Sequence, residues 1–310
     1  MRTKPGRRSV TESGSRDQRD IVAAIHGGPL PASAIKRSIA LLEQRIVIQF
    51  ERHKTQFAKA AARQKRVLAP LMKVIKDDRR AAEAAEAYAK TAPSKRPAKR
   101  RLPSDLPMVA PQVRGGSVLT ITAPPYSVDW TSGSGSTSNS TTSGGGFGEK
   151  DNGAFGASTI VFTGGSAWGG GGVASQIQPI AENELMRFSA FVQYSYNWDD
   201  SSSWGDTAHS DGYLGVFITS FDLRGGDERV EIDQRSHMWS DGTGWWEEHS
   251  DSGEGLIWPN SQVEVFLPVT SSRIFLFWIW ALQSGDAGSD STEQANLDGV
   301  VPFMVFEQFT

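Results

Sequence analysis

Cysteine is absent from the 310 residues, which excludes disulfides, thiolate metal sites and a cysteine nucleophile and leaves packing as the source of stability. No apolar run approaches 18 residues, so no transmembrane helix is expected. Behind Arg2, Lys4, Arg7 and Arg8 the stretch from Ile21 to Ile25 is too short for a signal-peptide core. The expectation is therefore a cytoplasmic chain, or one exported by a non-classical route. Tryptophan is missing from the first 110 residues, and all 10 lie beyond them, starting at Trp130. The sequences G-x-S-x-G, H-E-x-x-H and the Walker motif are absent, so no hydrolase, zincin or nucleotide-binding signature declares itself.

Charge is divided as sharply as tryptophan. The first 110 residues hold 25 Lys and Arg beside 10 Asp and Glu, a net +15; the remaining 200 hold 7 beside 25, a net −18. The overall −3 conceals two parts with separate tasks. Charges of opposite sign also raise the possibility that the basic half clamps onto the acidic one.

Residues 1–32 mix Arg, Ser, Gly and Pro without a period and read as a disordered basic arm. Residues 33–91 read as basic amphipathic helices. From Ser33, a plausible N-cap, Ile35, Ile39, Leu42, Ile46, Phe50, His53, Phe57 and Ala61 recur at three- and four-residue steps along one helix face, with Lys and Arg crowding the other. This predicts a helix over 33–69, broken or kinked at Pro70, and a second helix over 71–90, together a helical hairpin or coiled-coil-like stalk. The second helix offers little to cover such a stripe, so self-association through 33–69 is expected. Residues 92–112, with Pro93, Pro97, Pro103, Pro107 and Pro111 around a basic run, read as a semi-rigid linker.

Residues 113–310 switch to a period of two, clearest over Arg187 to Trp198, and read as an acidic, Trp-rich domain. Further strands are expected over 117–122, 159–163, 213–221, 229–238, 262–269, 273–282 and 300–309, with shorter ones near 126–130 and 176–180. The fold class is accordingly α+β in parts: a helical stalk followed by an all-β antiparallel sandwich, jelly-roll-like. Ile274 to Trp280 is apolar on both faces and needs cover on both, either from a loop such as the Gly/Ser segment or from a second subunit. Thr131 to Ala157 and Gly169 to Gly172, rich in glycine and serine, read as mobile loops.

Three kinds of site emerge. Trp204, Trp239, Trp245 and Trp246 cluster near Asp241, and indole faces flanked by carboxylates suit a sugar ring, so these five are the candidate ligand residues. Asp199, Asp200, Asp206 and Asp211 fall within thirteen residues and form a candidate Ca²⁺ loop, although the EF-hand register is missing; otherwise no cofactor is expected. Arg7, Arg8, Lys95, Arg96, Lys99, Arg100 and Arg101 are the candidate contacts for nucleic acid or another polyanion, which would bind by counterion release. No catalytic residue is assigned.

Three functions fit this pattern. The first is a non-enzymatic binding or assembly protein whose basic helical region oligomerises or docks to a larger assembly while the sandwich recognises a carbohydrate or cell-surface ligand. The second is a capsid-like structural protein with a nucleic-acid-binding arm. The third is a polysaccharide-active enzyme using loop carboxylates such as Glu247 and Glu248.

Overall fold

The computed structural model describes residues 28–77, 80, 83, 117–136, 142–162, 164–180, 182–203, 206–244, 247–257 and 263–309. The basic arm up to residue 27 and the linker over 92–112 lie outside the described residues, as does most of 78–91. One helix, α1 (Ala32–Asp77), precedes twelve strands: β1 (Ser117–Thr122), β2 (Val128–Ser136), β3 (Ser143–Glu149), β4 (Ala154–Phe162), β5 (Gly165–Ile177), β6 (Glu184–Ser202), β7 (Ala208–Asp222), β8 (Arg229–Gly242), β9 (Glu248–Ile257), β10 (Glu264–Val269), β11 (Arg273–Ala287) and β12 (Ser291–Phe309). No described helix is long and apolar enough to cross a membrane.

All strand pairs are antiparallel and fall into two sheets. The seven-stranded sheet runs β10-β6-β12-β4-β3. β6 and β12 are long enough at 19 residues each to take further partners, β9 and β1. The five-stranded sheet runs β2-β5-β11-β7-β8. Their facing sides share one core in which Phe188, Phe275, Phe277 and Phe306 form a tilted and edge-on aromatic cluster.

A second core lies on the far side of the five-stranded sheet, under α1. Every residue of β11 is buried. Phe275, Phe277 and Ile279 enter the inter-sheet core, while Leu276, Trp278, Trp280 and Leu282 face outward and pack with Leu42, Ile46 and Phe50 of α1. The doubly apolar strand is thus covered by the chain's own N-terminal helix, and neither the loop nor the second subunit expected from the sequence provides that cover. The stripe that called for a helical partner is buried against a sheet along this stretch, so the coiled-coil and self-association expectations gain no support from it.

Ala34, Ser38, Leu42, Ile46 and Phe50 recur every fourth residue and are all buried. The small Ala34 and Ser38 bring α1 close to the sheet. There the Ser38 hydroxyl pairs with Thr219 Oγ1 (2.8 Å) and accepts from Trp278 Nε1 (3.0 Å). Trp130 Nε1 donates to Glu43 Oε1 (2.9 Å), and Arg37 pairs with Glu228 (2.6 Å). The basic and acidic halves therefore do touch, through apolar contact bordered by ion pairs.

Two helix details differ from expectation. The helix starts at Ala32, with the Pro31 carbonyl accepting from the amides of Ala34 and Ile35, so Ser33 is not the cap. It also continues through Pro70 to Asp77, as a single element where two were expected. Proline removes only its own amide bond to the carbonyl four residues back, a loss that a long helix survives.

The glycine-rich segments are strands. β3 of one sheet lies against β2 and β5 of the other with backbone on backbone. A Cβ on Gly144 would stand 2.1 Å from the Trp168 carbonyl oxygen, and one on Gly146 would stand 2.0 Å from that of Gly170. No side chain fits in this seam, so glycine is required by close approach and the expectation of mobile loops is overturned. Two substitutions separate this cause from general strand weakness. Gly146→Ala, which drives its Cβ into backbone, is expected to lower unfolding free energy by about 3 kcal/mol or more in urea denaturation. Gly145→Ala next to it meets nothing within 4 Å and should stay within about 0.5 kcal/mol of the parent.

Candidate functional site

Beyond Phe50, α1 leaves the apolar centre of the sheet and meets its polar end. There β7 presents His209, Asp211 and Tyr213 outward, and β11 presents Asp286 opposite His209. Asp211 Oδ2 accepts from His53 Nδ1 and from His209 Nε2, both at 3.0 Å. Phe57 stacks on His209 at 6.0 Å between centroids, and Tyr213 takes His237 edge-on at 4.3 Å. A cavity of about 300 Å³ opens between Phe57, Ala60 and this cluster. Beside it, Arg45, Gln49 and Arg52 of α1 face Asp233 and Arg235 of β8 across a groove of about 470 Å³. The Arg235 guanidinium sits 6.0 Å over the Tyr213 ring.

The charges of the cluster are set by competition between burial and pairing. Burial opposes ionisation of Asp211, but the hydrogen bonds from His209 and His53 outweigh it and hold the carboxyl well below the usual range. Burial likewise works against an imidazolium at His209, yet the bond and the charge of Asp211 prevail and raise its pKa. Asp286 is pushed up to about 6, chiefly by burial. The result is an internally balanced set of groups that fastens the middle of α1 to the sheet.

The outer face of the seven-stranded sheet is different: among the described residues no element packs over it. Alternation along β6 and β12 buries Ala295 and Leu297 and turns their neighbours outward. Three polar pairs then stand in register, Asp199 with Gln294, Asn197 with Asn296, and Ser195 with Asp298. β9 extends the rows with Ser250, Ser252 and Glu254. At the β3 side, the partly exposed Phe147 ring lies across Gly156, next to Asp298: a Cβ on Gly156 would meet Phe147 Cε1 at 2.4 Å and Asp298 Oδ1 at 2.8 Å. The glycine makes room for a phenyl ring beside a carboxylate on the outer face of the sheet. A flat apolar surface bordered by amides, hydroxyls and carboxylates matches a pyranose, whose C–H face stacks while its hydroxyls donate and accept.

The residues singled out from the sequence are scattered. Trp204, Trp245 and Trp246 lie outside the described residues, as do Arg7, Arg8, Lys95, Arg96, Lys99, Arg100 and Arg101. Trp239 is buried, donates Nε1 to Ser210 Oγ (2.9 Å) and stacks on Tyr196 at 5.1 Å, so it is a core residue with no face free for a ligand. Asp241 accepts from His249 Nδ1 at 3.1 Å at the half-exposed edge of β8. The four-aspartate ion loop is not assembled. Asp199 faces outward, Asp200 points between the sheets, Asp211 is bound by histidines on the opposite side of the five-stranded sheet, and Asp206 accepts from the Ser289 hydroxyl and the Asp290 amide. Strand geometry is the reason, since adjacent residues such as Asp199 and Asp200 project to opposite faces. Among the described residues no group of three or more His, Cys, Asp or Glu is arranged to hold a metal. Sequence reasoning missed the open polar face entirely, although the alternation Gln294, Asn296, Asp298 was available as its signal.

No family model matches the chain and no curated protein matches it. Among solved structures the chain is similar to TmCBM61 in complex with β-1,4-galactotriose, at 11% identity over 56% of this chain and 86% of that one, with a TM-score of 0.15. It is also similar to the CBM22-1–GH10 modules of Clostridium thermocellum xylanase 10B complexed with xylohexaose, at 8% identity, 47% and 22% coverage and a TM-score of 0.15. A third is infectious bursal disease virus, Gx strain, at 9% identity, 69% and 46% coverage and a TM-score of 0.14.

The histidine cluster implies a pH dependence with a definite sign. The raised His209 binds its proton more tightly in the folded chain, so its contribution is complete below its ordinary value of about 6.5 and is lost as pH rises through the folded value. Asp286, raised from 3.8 to about 6, acts in the same direction but at lower pH, its contribution being lost between those two values. Asp211, lowered, stabilises above about 3.8 and loses its effect in acid. Thermal melts should show the parent exceeding His209→Ala near pH 6, with the margin shrinking towards pH 8.5.

Proposed function

We propose that the chain is a non-enzymatic binding module whose open seven-stranded face holds a carbohydrate, while α1 seals the opposite sheet. The observation that carries this reading is the Phe147 ring laid across Gly156 beside Asp298, at the border of the in-register polar rows. Stacking of a sugar ring on Phe147 would place its hydroxyls within reach of Asp298, Asn296 and Gln294, and a row three pairs long suits a chain of several sugars. The sheet presents these groups at fixed spacing, so little ordering entropy is lost on binding. Sheet faces of this kind form a shallow platform and not a deep pocket, consistent with internal recognition along a polysaccharide.

A second reading concerns the basic end of α1, where Lys59, Arg63, Lys65, Arg66 and Lys73 are exposed. They support docking of this segment to a polyanionic partner, such as packaged nucleic acid or an acidic assembly, by counterion release. Binding of an RNA or DNA oligomer should then weaken steeply with salt.

A glycan array probed with the full chain, followed by calorimetry on the best ligand, tests the first reading. Phe147→Ala is expected to weaken binding at least tenfold and Asn296→Ala severalfold, with melting temperatures unchanged because both side chains are at the surface. Undiminished affinity in Phe147→Ala would overturn this placement. A loss in Trp245→Ala combined with Trp246→Ala, and not in Phe147→Ala, would move the ligand to the tryptophan loops.

A further inference from the structure

Between the two sheets, at the end where β6, β11 and β12 meet, lies a group of oxygen atoms with too few donors. Asp200 and Glu293 are direct register partners on β6 and β12, both fully buried on the inner side, and directly opposed residues hold their Cβ atoms about 4.5–5.5 Å apart. Gln283 reaches Glu293 from β11 of the facing sheet and is likewise fully buried. Its Nε2 donates to Thr159 Oγ1 (2.7 Å) and to Glu293 Oε1 (3.2 Å), and the Thr159 hydroxyl donates to the same Oε1 (2.7 Å). Every one of these donors converges on a single carboxylate oxygen.

Both oxygens of Asp200, Gln283 Oε1 and Ser291 Oγ have no partner in the described structure, and the Glu293 carboxylate has beyond these donors only the Ser210 hydroxyl. Ser291 lies two residues before Glu293 and therefore on the same inward side of β12. Gly285, across on β11, leaves room for the Glu293 carboxylate, since a Cβ there would stand 2.0 Å from Oε2. Unpartnered buried oxygens gathered at one place are costly, since each forfeits its hydration with nothing in return. A single proton shared between the carboxyl groups would pair two of them and leave the Gln283 amide oxygen without a donor.

We infer that Asp200, Glu293, Gln283 and Ser291 hold a divalent cation of the calcium class between the sheets. The donors are all oxygen, which selects a hard cation over zinc or copper. Two carboxylates match a double positive charge. A dry site with a bidentate-capable Asp, a Glu, an amide and a hydroxyl suits calcium's variable shell better than magnesium, which keeps its waters. The ion would tie β6 and β12 of one sheet to β11 of the other, at the end of the sandwich farthest along β11 from Arg273. This site is independent of the carbohydrate face.

The full chain, purified without chelator, should carry close to one calcium per molecule by elemental mass spectrometry. After chelation, calcium at a hundredfold excess over its dissociation constant should raise the melting temperature by about 5–10 °C, with a smaller effect of magnesium. Asp200→Asn should fold, because it removes a buried charge, and should lose the calcium shift; Ser291→Ala should weaken calcium affinity severalfold without altering the melting of the chelated chain. No copurifying ion and no calcium-dependent shift in the parent, or an unchanged shift in Asp200→Asn, would overturn the site.

Discussion

Strand β11 sets the terms on which the rest of the molecule is built. A strand apolar on both faces has no stable position at a sheet surface, and its outward side chains alone are worth on the order of 10 kcal/mol of burial at about 1.5–3 kcal/mol each. That is comparable with the whole stability of a typical domain, about 5–15 kcal/mol. α1 is therefore an integral layer of the fold. The arrangement is three layers deep, helix on sheet on sheet, with β11 central to it and flanked by β5 and β7. One outer sheet face stays uncovered among the described residues because the helix takes the other.

The glycine seam solves the complementary problem at the β3 edge. Where β11 demands cover, β3 and β5 dispense with side chains altogether and let two backbones touch. The sandwich is accordingly thick at its aromatic centre and closed at one edge by main chain. Such an edge offers no side-chain core to stabilise it, so its order derives from the fit of the two sheets elsewhere. The small residues that look like linker composition in isolation are the means of closing the layers.

This contrast marks what a reader of the sequence can and cannot recover. β1 and the greater part of β6, β7, β8 and β11 are legible because alternation of apolar side chains reports a local period, as is the stripe of α1. β3 and the glycine-rich greater part of β2 and β5 are not, because a run such as Gly144 to Gly148 has no side-chain period, and its strand character comes from the ladder it forms with β4. The partner of the α1 stripe is equally invisible, since Ser38 meets Trp278 across 240 residues of chain. The site suffers most. His53 is readable as a stripe position but not as a ligand of Asp211, Trp239 reads as a ligand face yet serves the core, and Asp200 and Glu293 become neighbours only through strand register.

The same separation of Ser38 from Trp278 bears on how the chain is made. α1 leaves the ribosome long before β7 and β11 exist, and at about 5–20 residues per second the wait is roughly 10 to 50 s. During that interval Leu42, Ile46 and Phe50 have no surface to rest on, in a helix whose other side is strongly cationic. The nascent chain thus presents an amphipathic basic segment to any chaperone or acidic surface nearby. Docking of the helix must await the synthesis of β11, because that strand completes the surface that receives it.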